Sequence, residues 1–223
     1  NCKQHIKPTL AMFATYLAVN VYSSLDSVML GFMCGDFQVG IYTAAVKIRT
    51  VLTTLITSVG TVLLPRLSFY IAGGKWDEFK RLLKKSYCTI IMMAVPMMVY
   101  FILAAEPSII FLSGAEYADA ATPMKILMPI MLITSLSNIT GMQILIPTGG
   151  EWKFAISVTC GALVDLILNV IFIPRMGANG AAIGTLFAEL TQFSVQLFFT
   201  WKYICGAISA KGTVQVVIAT ILG

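Results

Sequence analysis

The sequence predicts an all-α integral membrane protein, a polytopic bundle of helices. Of its 223 residues, 58% are hydrophobic and only 11% are charged, whereas soluble domains are about 25% charged. The apolar residues are collected into six runs of 18 or more, each long enough to cross a bilayer as a helix. The net charge of +5 therefore does not indicate nucleic-acid binding, and no nucleic-acid partner is expected.

The six predicted membrane helices follow one another through short connections. Pro65 and Gly74 are expected to mark helix ends, and Pro96 and Pro129 lie inside the third and fourth helices, where a proline bends the helix. The chain is expected to be one membrane domain, 1–223, within a longer protein, because it begins without Met. The predicted helices cover residues 9–33, 40–64, 86–104, 123–146, 154–173 and 180–201, and a seventh apolar run begins near Thr213.

Lysine and arginine are distributed unequally between the two sides of this bundle. Alternate connections, starting with the amino-terminal stub, carry eleven of them, and the connections on the other side carry Arg175 alone. Basic segments stay in the cytoplasm, so the amino-terminal stub is predicted to be cytoplasmic in a multi-pass protein. The segment 75–85 is predicted to be an interfacial helix that fixes this topology. Its alternative role is binding of anionic lipid headgroups.

Several classes of function are disfavoured. Five single cysteines and one histidine, His5, form no CxxC pattern and no Cys/His cluster, so neither a disulfide framework nor a metal site is expected, and no cofactor is predicted. The outer connection 105–122 contains three acids and no base. It is too short to form a catalytic domain, so the protein is not expected to be an enzyme.

Six ionisable residues lie inside the predicted helices. Such residues are costly in a membrane and normally face a bundle interior or a wet cavity. At 1.5 Å per residue from the nearest outer turn, most of them lie about 10–14 Å below the outer surface. The sequence therefore predicts a hydrated pocket at that depth. The six residues are Asp26, Lys47, Arg49, Lys125, Asp165 and Glu189, of which Lys125 is the shallowest.

Polar residues accompany two of these acids. Asp165 and Asn169 are spaced i, i+4, and Glu189 is followed at i+3 and i+7 by Gln192 and Gln196, so that each set shares one helix face. The alternative is that Asp26 simply neutralises Lys47 or Arg49 and joins two helices.

Two segments resemble each other, residues 28–48 and residues 169–189. Both run outward, turn at a glycine and return through small residues. The likeness supports an internal repeat of the kind that transporters contain, with the binding site between the two copies. The alternative is that close helix packing through small residues accounts for the likeness.

Four stretches, in order, resemble polysaccharide flippases of the Wzx type, which belong to the MOP exporter superfamily together with the MATE antiporters and MurJ. They are YSSLDSVMLGFMCGDFQVGIYTAAVKI, VLLPRLS, FLSGAEYADAATPMKIL and ALVDLILNVIFIPRMGANGAAIGTLFAEL. The resemblance covers nearly the whole chain and corresponds to the second lobe of such a transporter. Asp165 departs from the family, which often has Asn there.

The resemblance implies translocation of a polyprenyl-pyrophosphate-linked oligosaccharide from the inner to the outer leaflet of a bacterial inner membrane, by alternating access. Lys47 and Arg49 would meet the diphosphate, because guanidinium groups match phosphate oxygens. The remaining candidate substrate-binding residues are Asp26, Asp165, Asn169, Glu189 and Gln192. Expected partners are the lipid-linked oligosaccharide, membrane lipids and a polysaccharide polymerase.

Two alternatives remain open at this point. A MATE-like multidrug antiporter would use the acids to bind cations. A membrane scaffold would use the polar layer only to join helices.

Overall fold

The computed structural model describes Phe13 and residues 24–204, and the described part is all-helical. Five of its helices are long and apolar enough to cross a membrane, which confirms the predicted fold class. Most of the first predicted span and all of the seventh apolar run lie outside the described residues, so the count of six spans stays a prediction. The helices are α1 (Ser24–Cys34), α2 (Asp36–Ala72), α3 (Trp76–Leu103), α4 (Ala105–Ser113), a 3-10 helix (Ala115–Ala120), α5 (Ala121–Asn138), a π-helix (Ile139–Leu145), α6 (Glu151–Met176) and α7 (Ala178–Ile204).

Two predicted boundaries are wrong. Pro65 does not end a helix but lies inside α2, which continues to Ala72 before the Gly73–Gly74 turn. The segment 75–85 is not a separate interfacial helix, because Trp76 begins α3 and this helix runs without a break into its apolar part. The apolar runs of the sequence located the centres of α2 and α3. Both helices continue beyond these runs into polar segments, which hydropathy does not identify as helical.

The bundle has an outer surface of large apolar side chains and a separate buried core. Large apolar side chains point outward along the bundle, among them Phe32, Phe111 and Phe198. The core is formed by α2, α3, α5 and α7, and α5 packs against the other three. Polar residues buried inside this outer apolar layer are therefore held away from lipid by other helices.

Two helical hairpins, α1–Gly35–α2 and α6–Gly177–α7, lie side by side. Both turn glycines have positive φ, 83° and 53°, a conformation that favours glycine. The hairpins touch at their turns, where the backbone N–H of Ala178 donates to Gln38 Oε1 at 2.9 Å. These are the two segments whose sequences resemble each other, so side chains at matching distances from the two turns come together inside the bundle.

The π-helix Ile139–Leu145 continues α5 and interrupts its regular hydrogen bonding. Such segments are rare and frequently occur at functional sites. Met142 of the π-helix, and Asn138 at the end of α5 just before it, line the cavity described below.

Candidate functional site

The centre of the site is Asp26 on α1, which is 2% exposed. The Tyr42 hydroxyl on α2 donates to Asp26 Oδ2 at 2.5 Å. Thr185 Oγ1 on α7 lies 3.0 Å from the same oxygen, 3.0 Å from the Tyr42 hydroxyl oxygen and 2.9 Å from the carbonyl oxygen of Ala181. A buried carboxylate needs such donors because it has lost its hydration.

Asn169 on α6 joins the two buried carboxyl groups. Its Nδ2 donates to Asp26 Oδ1 at 2.7 Å and to Asp165 Oδ2 at 3.1 Å. The predicted i, i+4 face of Asp165 and Asn169 is therefore present and points at Asp26. Gly184 on α7 makes room for the amide, since a Cβ there would lie 2.3 Å from Asn169 Oδ1.

We call this group the acidic cluster; each helix of the two hairpins contributes to it. Sequence reasoning missed two members, Tyr42 and Thr185, because neither is charged. A signal was available, since they lie seven and eight residues after Gly35 and Gly177. Its members are Asp26, Tyr42, Asp165, Asn169 and Thr185.

A cavity of about 580 Å³ opens beside the acidic cluster. Its size falls within the range typical of sites for small molecules. Five helices and the π-helix contribute to its wall, which contains two acids and one base. The lining residues are Asp26, Ser27, Tyr42, Thr43, Val46, Arg49, Thr50, Thr53, Thr54, Thr134, Ser137, Asn138, Met142, Phe154, Thr185, Glu189 and Gln192.

Arg49 is the base of this cavity, and Glu189 and Gln192 also line it. The Nε of Arg49 is buried and has no hydrogen-bond partner within residues 24–204. A guanidinium in this state has a donor left for an anionic ligand.

Lys47 does not share the cavity, contrary to the prediction. Its side chain is exposed and is not part of the lining. Residues two apart on a helix point about 200° away from each other, so Lys47 and Arg49 cannot face the same space. Lys125 is also exposed.

A second group of polar side chains joins the end of α5 and the π-helix to α7. Gln196, predicted on the same face as Glu189, is fully buried and its Oε1 accepts from Ser137 at 2.8 Å and from Thr140 at 2.5 Å. Gln192 Nε2 lies 3.4 Å from Ser137 Oγ. Ser137 and Thr140 were not singled out from the sequence, because isolated hydroxyls are common in membrane helices.

No group of three or more His, Cys, Asp or Glu side chains that would hold a metal ion occurs among the described residues. The acidic cluster nevertheless presents oxygens of the kind that hard cations bind. Two of them, Asp165 Oδ1 and Asn169 Oδ1, are buried without a hydrogen-bond donor in this part of the chain.

Both the sequence and the fold of this chain are similar to those of known proteins. A family model described as "Polysaccharide biosynthesis protein" matches residues 1–70. The lipid II flippase MurJ, in an inward closed conformation, has the same fold over 94% of this chain and 44% of its own, with a TM-score of 0.81 at 17% identity.

Curated relatives agree with this family. A putative O-antigen transporter of Escherichia coli K12 is 25% identical over 199 residues, 89% of this chain and 48% of that protein. The probable flippase AglR of Haloferax volcanii is 28% identical over 171 residues, 74% of this chain and 35% of that protein. The chain thus spans about half the length of these relatives or less. The family model, these relatives and the fold agree with the resemblance carried by the sequence: the chain is similar to polysaccharide biosynthesis proteins, O-antigen transporters and flippases.

Proposed function

We propose that this chain is one lobe of a transporter that flips a polyprenyl-pyrophosphate-linked oligosaccharide across the membrane, with the diphosphate bound at Arg49. The observation that carries the proposal is Arg49 itself, the base in the lining of a cavity of about 580 Å³, whose buried Nε has no hydrogen-bond partner among residues 24–204. The names of the relatives, O-antigen transporter and flippase, support the same substrate class.

The chemistry of Arg49 suits a diphosphate. Its planar guanidinium donates two parallel hydrogen bonds to phosphate oxygens and stays charged at any physiological pH. The cavity lies within the bundle rather than in bulk water, which strengthens that attraction. Glu189, which lines the same cavity, supplies negative charge that would repel the headgroup once the lobes rearrange, so that binding at this site would be reversible.

The acidic cluster is proposed to take a cation, a proton or a monovalent metal ion. Asp26 and Asp165 are held against one amide, and two neighbouring oxygens lack donors. Two carboxylates in such a site repel each other, and a cation bound between them would relieve that repulsion. Because the cluster joins the two hairpins, occupancy of this site would alter their packing and so couple ion entry to the movement of the substrate.

Orientation follows the charge distribution. Arg66, Lys75 and Lys202 lie at the end of the bundle away from Gly35 and Gly177, and we infer that this basic end is cytoplasmic. The protein would then lie in the bacterial inner membrane, and an inside-negative potential would favour outward movement of the headgroup by about 2.3 kcal/mol per charge per 100 mV. A polysaccharide polymerase would take the flipped unit on the outer side.

Transport by the intact protein in proteoliposomes tests this proposal. Arg49→Ala should abolish translocation of a synthetic polyprenyl-pyrophosphate oligosaccharide, Arg49→Lys should retain part of it, and Lys125→Ala should be silent. Lys125 is a matched control because it is a base on an exposed face. Unimpaired flipping by a stably folded Arg49→Ala protein would contradict the proposal.

A MATE-like drug antiporter is the other transport function that the cavity would suit. It would require the acids rather than Arg49. Efflux of organic cations that depends on Asp26 and tolerates Arg49→Ala would favour this alternative over the flippase.

A further inference from the structure

We propose that the part of the cavity beyond Arg49 is a subsite for the first sugar of the glycan. The inference rests on the proposed function, because it assumes a diphosphate at Arg49. We call this part the neutral wall, since its lining contains hydroxyl and amide groups and no charge. Its polar members are Thr50, Thr53, Thr54, Thr134, Ser137, Asn138 and Gln192.

One side of the neutral wall offers acceptors. Thr50, Thr53 and Thr54 on α2 each donate their hydroxyl proton to the backbone carbonyl four residues earlier, at 2.8 Å. Their protons are therefore engaged within the helix, and the lone pairs of their oxygens are directed outward. Such a surface accepts hydrogen bonds and suits a ligand rich in hydroxyl donors.

The part of the neutral wall on α5 and α7 offers donors. Gln192 and Asn138 present side-chain amides to the cavity, and each amide has two N–H donors and an acceptor oxygen. The Thr134 hydroxyl also lines the cavity and is buried without a partner within the described range. A sugar hydroxyl both donates and accepts, so a sugar ring placed between the two sides would satisfy both.

Buried side chains behind the wall fix its geometry. Ser137 donates to Gln196 Oε1 at 2.8 Å, which turns the lone pairs of the serine oxygen toward Gln192. Gln196 is thus a positioning residue, and its own burial is complete. Gly141 allows this arrangement, because a Cβ there would lie 3.3 Å from Gln196 Nε2 and 2.5 Å from the Phe154 ring.

The spacing along α2 matches a glycan attached to the diphosphate. Thr53 lies one helical turn beyond Arg49, about 6 Å along the axis at 1.5 Å per residue. The first sugar is bonded directly to the diphosphate, so it falls at this level. On α7 the lining also passes from a charged to an uncharged residue within one helical turn, since Gln192 follows Glu189 by three residues. The charged residues and the uncharged polar residues of the lining therefore follow each other in the same order as the diphosphate and the first sugar of the headgroup.

Equilibrium binding to the intact protein in nanodiscs tests the subsite with two probes, undecaprenyl pyrophosphate and the same lipid bearing one sugar, either an N-acetylhexosamine or a hexose. The wild-type protein should bind a sugar-bearing lipid more tightly than the bare lipid. Asn138→Ala and Gln192→Ala should each lower that affinity about tenfold, the value of one well-formed hydrogen bond. Affinity for the bare lipid should not change.

Ser194→Ala is the matched control on α7, because its hydroxyl is exposed and bonds to the backbone of its own helix. Thermal unfolding establishes that each variant is folded. The subsite is overturned if wild type binds all probes equally, or if the Asn138 and Gln192 variants weaken bare and sugar-bearing lipids alike. Failure of the proposed function would give a different result from failure of the subsite. In that case Arg49→Ala would leave the affinity for every probe unchanged, or no probe would bind.

Discussion

Gly184→Ala should loosen the acidic cluster although it replaces none of the polar side chains of the cluster. The added methyl group would lie 2.3 Å from Asn169 Oδ1 and 3.2 Å from its Cγ. Contacts this short cannot persist, so the amide must move away from α7. The movement separates Nδ2 from Asp26 and Asp165, the two carboxyl groups that it holds at 2.7 and 3.1 Å.

The expected loss is about 2–4 kcal/mol, because hydrogen bonds to charged groups contribute about 1.5–3 kcal/mol each and only part of each bond is recovered after relaxation. This corresponds to a decrease in Tm of several degrees for a chain of this size. Gly31→Ala is the matched control. Its Cβ would meet Val39 Cγ2 at an ordinary 3.6 Å, so the same substitution in α1 should be neutral or stabilising by up to about 1 kcal/mol.

Thermal unfolding of the purified protein, with and without Asn169→Ala, makes the test specific. Once Asn169 has been shortened to alanine, the methyl group at position 184 has nothing to displace, so adding Gly184→Ala should cost less than about 1 kcal/mol more. Such non-additivity is the signature of two residues in direct contact. The reasoning is refuted if Gly184→Ala is as stable as Gly31→Ala, or if the two effects simply add.

Three further outcomes are expected. Lys47→Ala should reduce flipping far less than Arg49→Ala in the same proteoliposome assay, because only Arg49 lines the cavity; equal losses would contradict the assignment. Gly177→Ala should lower the free energy of unfolding by about 1–3 kcal/mol, since its φ is +53° and its Cβ would meet Gln38 Oε1 at 2.5 Å; an unchanged Tm would count against this. Gln196→Leu should destabilise by about 1–3 kcal/mol, because it leaves the buried Ser137 hydroxyl without its acceptor, whereas Thr140 keeps the Ser137 carbonyl oxygen at 2.9 Å; a Tm equal to that of wild type would contradict this.

The membrane fold and much of the site follow from the sequence by simple reasoning. Apolar runs located the centres of the five spans described here, and depth below the turns brought Asp26, Arg49 and Glu189 together. The i, i+4 spacing of Asp165 and Asn169 placed both on the face that meets Asp26. These inferences succeed because a charged side chain inside a membrane helix almost always faces the bundle interior or a water-filled cavity.

Other features lay beyond that reasoning. Depth alone placed Lys47 beside Arg49, whereas its angular position on α2 turns it away. Tyr42 and Thr185 carry no charge, so only the pairing of the two hairpins, a tertiary feature, reveals them. The π-helix at Ile139–Leu145 has no proline or charge to announce it.

The most direct test of the account is a structure of the intact protein in lipid with undecaprenyl pyrophosphate bound. We expect diphosphate density inside the cavity, within hydrogen-bonding distance of the Arg49 guanidinium and close to Nε. Diphosphate density elsewhere, away from the Arg49 guanidinium, would contradict the assignment of this cavity to the substrate headgroup.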